Sequence, residues 1–139
     1  MELLLKCIND YEPSLSTCIK DKMIFCPKTN HELKLAIYDW FDNNEQAIQE
    51  YGHISNWNTK NITNMMELFL IKETFNEDIS RWNTSNVTTM KGMFNGCKAF
   101  NHPLNDWDVS KVKNMRAMFF ECEQFNQPLN KWMVSNVKD

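Results

Sequence analysis

Apolar residues recur with a period of 25 residues from about Tyr51 to the C-terminus. Trp57, Trp82, Trp107 and Trp132 are each 25 positions apart. A fixed period of this length predicts a repeat protein, in which each unit buries its apolar face against its neighbours. The same 25-residue step joins Ile54, Ile79, Leu104 and Leu129; Ile62, Val87, Val112 and Val137; Met65, Met90 and Met115; Phe69, Phe94 and Phe119; and Phe75, Phe100 and Phe125.

Within each unit, the pattern predicts one strand and one short helix. Trp57 and Thr59 alternate with polar residues, which is typical of a half-buried strand. Met65 and Phe69 stand at i and i+4 on one face of a short helix, and Asn64 before them is a residue type that caps helices. We therefore expect an α/β fold, a short β/α solenoid of about 3.6 coils, with units near 50–74, 75–99, 100–124 and 125–139.

Residues 1–50 do not share the period, and they predict an α-helical cap in front of the solenoid of residues 51–139. Thr29 and Glu32 have the spacing of a capping box. Apolar residues follow at i, i+3, i+4, i+7 and i+8 from Leu33 onward, which predicts an amphipathic helix over residues 30–42. We expect two less regular elements before it, near residues 2–12 and 15–25.

Composition excludes several classes of protein. No stretch of the 139-residue chain approaches the roughly 18 apolar residues of a membrane helix, so we expect no membrane insertion. The N-terminus lacks a basic leader and a cleavage site, which argues against a secretory signal. We therefore expect a cytoplasmic location or a place within a large assembly such as a virion. The net charge of −3 argues against a nucleic-acid partner.

The sequence offers no constellation for catalysis, cofactor binding or metal binding. Its three glycines form no phosphate-binding loop. The cysteines lack the paired spacing of a zinc site. Because five cysteines are an odd number in a chain without a signal, we expect free thiols, with Cys97 and Cys122 buried at one repeat position. We expect a protein that is not an enzyme.

The positions that flank the inward residues of the predicted strand are candidates for binding. If Trp107 and Val109 point inward, their neighbours point outward. These outward positions vary in charge while the apolar skeleton stays fixed, and solenoids generally bind through an extended face of this kind. The candidate contact residues are Arg81, Asn83, Asp106, Asp108, Lys131 and Met133, with a plain solvated surface as the alternative.

The last unit predicts a second contact surface. It contains Trp132, Val134 and Val137 and stops at Asp139, before the predicted helix of the earlier units. An unpaired strand edge is a template for pairing. We therefore expect these three apolar residues to dock against another chain, either a second copy of this protein or a different subunit.

The repeat resembles a known family. Residues 75–87 and 100–112 read FNEDISRWNTSNV and FNHPLNDWDVSKV, and each segment is followed by Met-x-x-Met-Phe and a Cys. These segments resemble the BspA-like leucine-rich repeat family, in the variant of mycoplasma-type surface lipoproteins that also occurs in protists and large DNA viruses. The resemblance implies a leucine-rich-repeat-like solenoid, and a role in adhesion or protein binding.

Two functions remain open at this point. The first is a non-enzymatic protein–protein interaction module that binds through the solenoid face and its C-terminal end. The alternative is an architectural subunit of a larger assembly, such as a minor structural protein of a virus particle. A recruitment module binds reversibly, whereas an architectural subunit packs permanently through large contacts.

Overall fold

The computed structural model describes residues 24–139. Helix α1 spans Asn30–Asp42, helix α2 spans Asn44–Tyr51, and a 3-10 helix spans Ile54–Asn56. The rest of the described chain is a stack of 25-residue units built from turns and extended segments. The predicted element over residues 2–12 lies outside the described residues, as does most of the one near 15–25.

Helix α1 has the bounds that its capping and apolar spacing predict. The Thr29 hydroxyl accepts a hydrogen bond from the N–H of Glu32 at 3.1 Å, and the Glu32 carboxylate accepts one from the N–H of Lys28 at 2.6 Å. The apolar face of the helix is buried. The first bond satisfies an amide of the first turn that would otherwise lack a partner, and the second ties the segment before the helix to that turn.

A single asparagine, Asn43, separates the two helices. Its N–H donates to the Asp39 carbonyl at the end of α1, and its side-chain oxygen accepts from the N–H of Gln46 in the first turn of α2. Helix α2 ends at Gly52, whose φ of 71° is left-handed and favours glycine. The helices of the cap are therefore interrupted at Asn43 and end at Gly52, just before the repeats begin.

The predicted leucine-rich-repeat-like β/α solenoid is wrong. Residues 24–139 contain no strand and no sheet, and the two α-helices both precede the repeats. Where the sequence predicts a short helix after Met65, Met90 and Met115, the chain forms a series of turns. The β-type pairing between neighbouring units is limited to isolated parallel bridges, between Asn64 and Thr89 and between Thr89 and Asn114.

The hydrogen bonds of the turn segments explain why no helix forms. Alternate N–H groups from Met65 to Ile71 donate to carbonyls 24 positions later, in the next unit, at N···O distances of 2.8 to 3.0 Å. The N–H groups of Leu70 and Lys72 donate to carbonyls three positions earlier, which closes tight turns. In an α-helix that starts at Met65, the N–H groups of Phe69 and Ile71 would donate to carbonyls of their own segment, so their bonds to the next unit exclude that helix.

Left-handed backbone positions recur in the turn segments at the same places in each of the first three units. The first place has φ near 57° at Glu67, Gly92 and Ala117. The second has left-handed φ at Ile71, Gly96 and Glu121, with 58° at Ile71. The stack therefore imposes this conformation even on a β-branched residue, for which it is unfavourable.

The predicted extended segments at the tryptophans also lack a ladder of backbone bonds. The hydroxyl of Thr59 instead donates to the Asn83 carbonyl at 2.8 Å, and that of Thr84 donates to the Asp108 carbonyl at 3.0 Å. Locally, the N–H of Ile62 donates back to the Thr59 carbonyl and closes a turn. A side-chain bond therefore joins neighbouring units where a strand would use its backbone.

Aromatic rings form the core of the stack. Phe69, Phe94 and Phe119 stack on one another with ring centroids 5.6 Å apart, and Phe75 and Phe100 form part of a second column with centroids 5.7 Å apart. At the cap, Phe41 of α1 meets Phe69 and Phe75 edge-on. The edge-on contact of Phe41 covers the first unit and ends both columns.

Candidate functional site

The outward residues of the tryptophan segments form two parallel rows along the stack. The buried Trp107 and Val109 alternate with the exposed Asp106 and Asp108, as predicted for this unit, whereas Val134 of the last unit is exposed. All six candidate contact residues are exposed. Row one comprises Asn56, Arg81, Asp106 and Lys131, and row two comprises Asn58, Asn83, Asp108 and Met133.

In row one, polar side chains pair between neighbouring units. The Arg81 guanidinium donates to the side-chain oxygen of Asn56 at 2.8 Å. The Lys131 ammonium lies 2.6 Å from a carboxylate oxygen of Asp106. Each pair joins positions 25 residues apart. Row one thus presents a guanidinium near the cap and an ion pair in the last two units.

In row two, each side-chain oxygen bonds to the chain two positions on. The side-chain oxygens of Asn58, Asn83 and Asp108 accept from the N–H groups of Lys60, Ser85 and Ser110 at 3.0 to 3.1 Å. Such turns hold the side chain in a fixed orientation. The hydrogen bonds from Ser110 lower the pKa of Asp108 below its usual value, so row two carries a negative charge there at neutral pH.

The buried side chains beneath the rows fix the spacing between units. The indole N–H groups of Trp82, Trp107 and Trp132 donate to carbonyls of the preceding unit at 2.9 to 3.3 Å. With the two threonine bonds described above, they hold one tryptophan segment over the next. A partner would therefore meet a pre-formed surface, which lowers the entropic cost of binding.

A groove of about 630 Å³ lies where the cap meets the first two units. It contains Arg81 and Asn83 of the candidate residues, while the other four lie farther along the rows. Cap residues Ile24 and Ile48 also line it. Sequence reasoning missed these cap residues because the 25-residue period does not reach them, and no local motif marks them.

The three residues of the predicted C-terminal docking edge differ in exposure. Val134 is 50% exposed, whereas Trp132 and Val137 are more buried than Val134 but still partly accessible. The indole N–H of Trp132 donates to the Leu104 carbonyl at 2.9 Å, which ties this residue to the unit before it. Since the structure has no strand here, the edge is a set of apolar side chains rather than a strand edge.

The cysteines at the shared repeat position are free thiols that take part in packing. The Cys97 thiol donates to the Phe69 carbonyl at 3.0 Å, and the Cys122 thiol donates to the Phe94 carbonyl at 2.9 Å. Burial raises the pKa of Cys97 to about 12 and also raises that of Cys122. Both therefore stay protonated at neutral pH and are poor nucleophiles.

Residues 24–139 hold no group of three or more His, Cys, Asp or Glu side chains arranged to bind a metal ion. In the same part of the chain, no helix combines the length and the apolar character needed to cross a membrane.

The stacked units, the repeated hydrogen bonds between them and the two outward rows define a repeat protein with an N-terminal helical cap. The chain belongs to the family described as Mycoplasma protein of unknown function, DUF285, whose model matches residues 36–139. The match begins within α1 and includes every repeat unit. No curated protein and no solved structure matches the chain.

Proposed function

We propose that this protein is a non-enzymatic interaction module that binds another protein through the two outward rows. The observation that carries the proposal is the contrast between the rows and the core beneath them. The core repeats the same residue types from unit to unit, whereas row one changes from Asn56 to Arg81, Asp106 and Lys131. A fixed scaffold that displays a variable surface suits recognition.

The fixed positions of the row side chains give a second argument. The hydrogen bonds within and between units hold Arg81, Asn83, Asp106 and Asp108 before any partner arrives. Met133, 69% exposed, adds a flexible apolar contact in the last unit. Methionine is common at protein-binding surfaces because its side chain adapts to the partner. Arg81 and Met133 are residue types that are enriched at protein interfaces.

The resemblance to BspA-like leucine-rich repeat proteins supports the same role. The shared feature is the repeat of Trp, Met, Phe and Cys at fixed positions. Where such relatives have an assigned role, the resemblance implies adhesion or protein binding. We extend the proposal to the partly exposed Trp132, Val134 and Val137, which would add apolar area beside Met133.

A charge-exchange variant tests the proposal without removing an interaction from the fold. The double variant Asp106→Lys, Lys131→Asp keeps an ion pair between the same positions but reverses the charges that a partner meets. Lys98 and Glu73 form another exposed ion pair, 3.2 Å apart and outside the rows. Exchanging these two residues is therefore the matched control. The partner is first captured by crosslinking to the full chain, then purified and titrated against each variant.

We expect the exchange at Asp106 and Lys131 to weaken binding of the purified partner at least tenfold, and the exchange at Glu73 and Lys98 to change it less than twofold. Equal affinities for both variants and the native protein would contradict binding through the rows. A complex of fixed stoichiometry that survives extensive dilution would instead indicate the alternative role, an architectural subunit.

A further inference from the structure

The groove between the cap and the first two units has an unusual balance of hydrogen-bonding groups. Asn56, Asn58 and Asn83 all line it, and the oxygen of each amide already accepts a bond within the protein. Each oxygen accepts from an N–H group of the backbone or of Arg81, and that of Asn83 also accepts from the Ser85 hydroxyl. An N–H group can only donate, which fixes the end of each amide that carries the oxygen. Within residues 24–139 the three NH₂ groups have no acceptor, so the groove offers donors.

The charge of the residues that line the groove is also one-sided, although Asp78 outside the lining interacts electrostatically with Arg81. Arg81 is the groove's one arginine or lysine, and no Asp or Glu lines it, although the chain has a net charge of −3. Among residues 24–139, no carboxylate lies within 4.0 Å of the guanidinium, whose bonded partner is the neutral Asn56. A guanidinium has five N–H donors, so the bond to Asn56 leaves others for a ligand.

An apolar surface adjoins these donors. Ile24 is 66% exposed and Ile48 is 39% exposed, and both line the groove beside the ring of Phe25. The Phe25 ring packs against Tyr51 and Trp57, with centroids 4.7 and 5.2 Å away. The groove therefore contains packed aromatic rings and exposed isoleucines. Beside them lie the NH₂ groups without acceptors and the Arg81 guanidinium.

We propose that this groove binds a segment of a partner protein in which an Asp or Glu side chain stands beside a large apolar side chain. The carboxylate pairs with Arg81 and accepts from the amides of Asn58 and Asn83, an arrangement of charge-assisted hydrogen bonds. The apolar side chain packs on Ile24 and Ile48, and the remaining donors bind carbonyls of the peptide. The inference rests on the proposed function and names the kind of partner for the cap end of the rows.

Asn83→Asp is the sharpest test because the next unit already contains its equivalent. Asp108 occupies the same repeat position and accepts the same bond from the chain two residues on. The substitution therefore keeps the local turn, removes the NH₂ donor and adds a carboxylate to the groove. Asn76→Asp makes the same change of charge at an exposed position outside the groove, and its oxygen can still accept from the N–H of Asn101. It is the matched control.

The experiment is a selection of displayed random peptides on the immobilised full chain, followed by fluorescence anisotropy of the synthetic peptides. We expect the selected sequences to contain Asp or Glu beside Phe, Leu, Ile or Met. Changing that carboxylate to its amide should weaken binding at least tenfold, and added salt should weaken the acidic peptide more than its amide counterpart. Asn83→Asp should also weaken binding at least tenfold, and Asn76→Asp less than twofold.

Selected peptides without acidic residues, or with equal affinity for the native chain and Asn83→Asp, would overturn the proposal. Equal affinity for free N-acetylaspartate would overturn the assignment to a peptide. The double variant Asp106→Lys, Lys131→Asp distinguishes the groove proposal from the proposal that the protein binds through the two rows. If that exchange weakens the captured partner while Asn83→Asp has no effect, the groove assignment is wrong and binding through the rows stands.

Discussion

The side chain of Asn30 takes the place of a missing repeat unit above Thr63. Its oxygen accepts a hydrogen bond from the N–H of Thr63 at 3.0 Å and another from that of Asn64 at 3.2 Å. One unit later, the N–H of Thr88 donates to the backbone carbonyl of Thr63 at 2.8 Å. The Asn30 side chain therefore supplies the first unit with the hydrogen-bond acceptor that a backbone carbonyl supplies to the next unit.

This relationship gives the first prediction. Asn30→Ala leaves two backbone N–H groups without their acceptor and should lower the free energy of unfolding by about 1 to 2 kcal/mol. Asn30→Asp keeps an acceptor oxygen and should stay within about 0.5 kcal/mol of the native protein. Urea denaturation followed by tryptophan fluorescence measures both. Equal losses for the two variants would show that the oxygen does not support the first unit.

The second prediction concerns the buried Trp107. Trp107 is 4% exposed and donates its indole N–H to the Ile79 carbonyl. Trp107→Ala should cost about 3 to 5 kcal/mol, because it opens a cavity between units and removes one of the two donors to that carbonyl, which keeps its bond from the N–H of Trp82. The exposed neighbour gives the control, since Asp108→Asn keeps the turn that Asn83 forms and should change stability by less than about 0.5 kcal/mol. Similar thermal shifts for the two variants would contradict the inward and outward assignment.

The third prediction compares two glycines with left-handed φ. Gly52 has φ of 71° and open space where a Cβ would lie, whereas at Gly96, with φ of 76°, a Cβ would lie 3.3 Å from the Ile71 Cα. Gly52→Ala should cost about 1 to 3 kcal/mol, because φ of 71° with ψ of 178° is a conformation that essentially only glycine adopts. Gly96→Ala should cost about 2 kcal/mol, because the strain of a left-handed residue adds to a movement of the neighbouring unit's backbone. Denaturation midpoints at constant m-value measure both costs, and a cost below about 0.5 kcal/mol for Gly96→Ala would rule out the close approach.

The fourth prediction concerns the stability of the protein at low pH. Hydrogen bonds from Ser110 lower the pKa of Asp108 from its ordinary value of 3.8. A group whose pKa is lowered in the folded state adds stability above its unfolded pKa, and this stability disappears as the pH falls through the folded pKa. The free energy of unfolding should therefore fall below about pH 4, and less steeply in Asp108→Asn. Parallel pH profiles for the two proteins would refute the assignment. Asp78, held in the same way by Ser80, contributes equally to both profiles.

Some features of this protein follow from the sequence alone. The 25-residue period requires equivalent environments in successive units, so it indicates that the repeated tryptophans and phenylalanines of the inner units are buried and that Asp106 and Asp108 are exposed. The formation of helix α1 also follows from local sequence. Its cap at Thr29 and its apolar face lie within a few residues of each other, so neighbouring sequence decides both.

The backbone of the repeats is different because its hydrogen-bond partners lie in another unit. Apolar residues at i, i+3 and i+4 share one side in a helix, and in this protein the turn segment buries the same residues. The pattern around Met65 therefore predicts burial correctly and secondary structure wrongly. Only the stacked structure shows that its N–H donates to the Thr89 carbonyl, 24 positions away.

The groove also depends on tertiary structure. Ile24 and Ile48 meet Arg81 and Asn83 only because the cap folds onto the first units. No period or motif connects these residues, since residues 24–51 share no repeat with residues 57–139. The sequence determined which side chains are buried. The packing of the cap on the first unit, and of each unit on the next, determined which backbone groups bond and which exposed residues form a common surface.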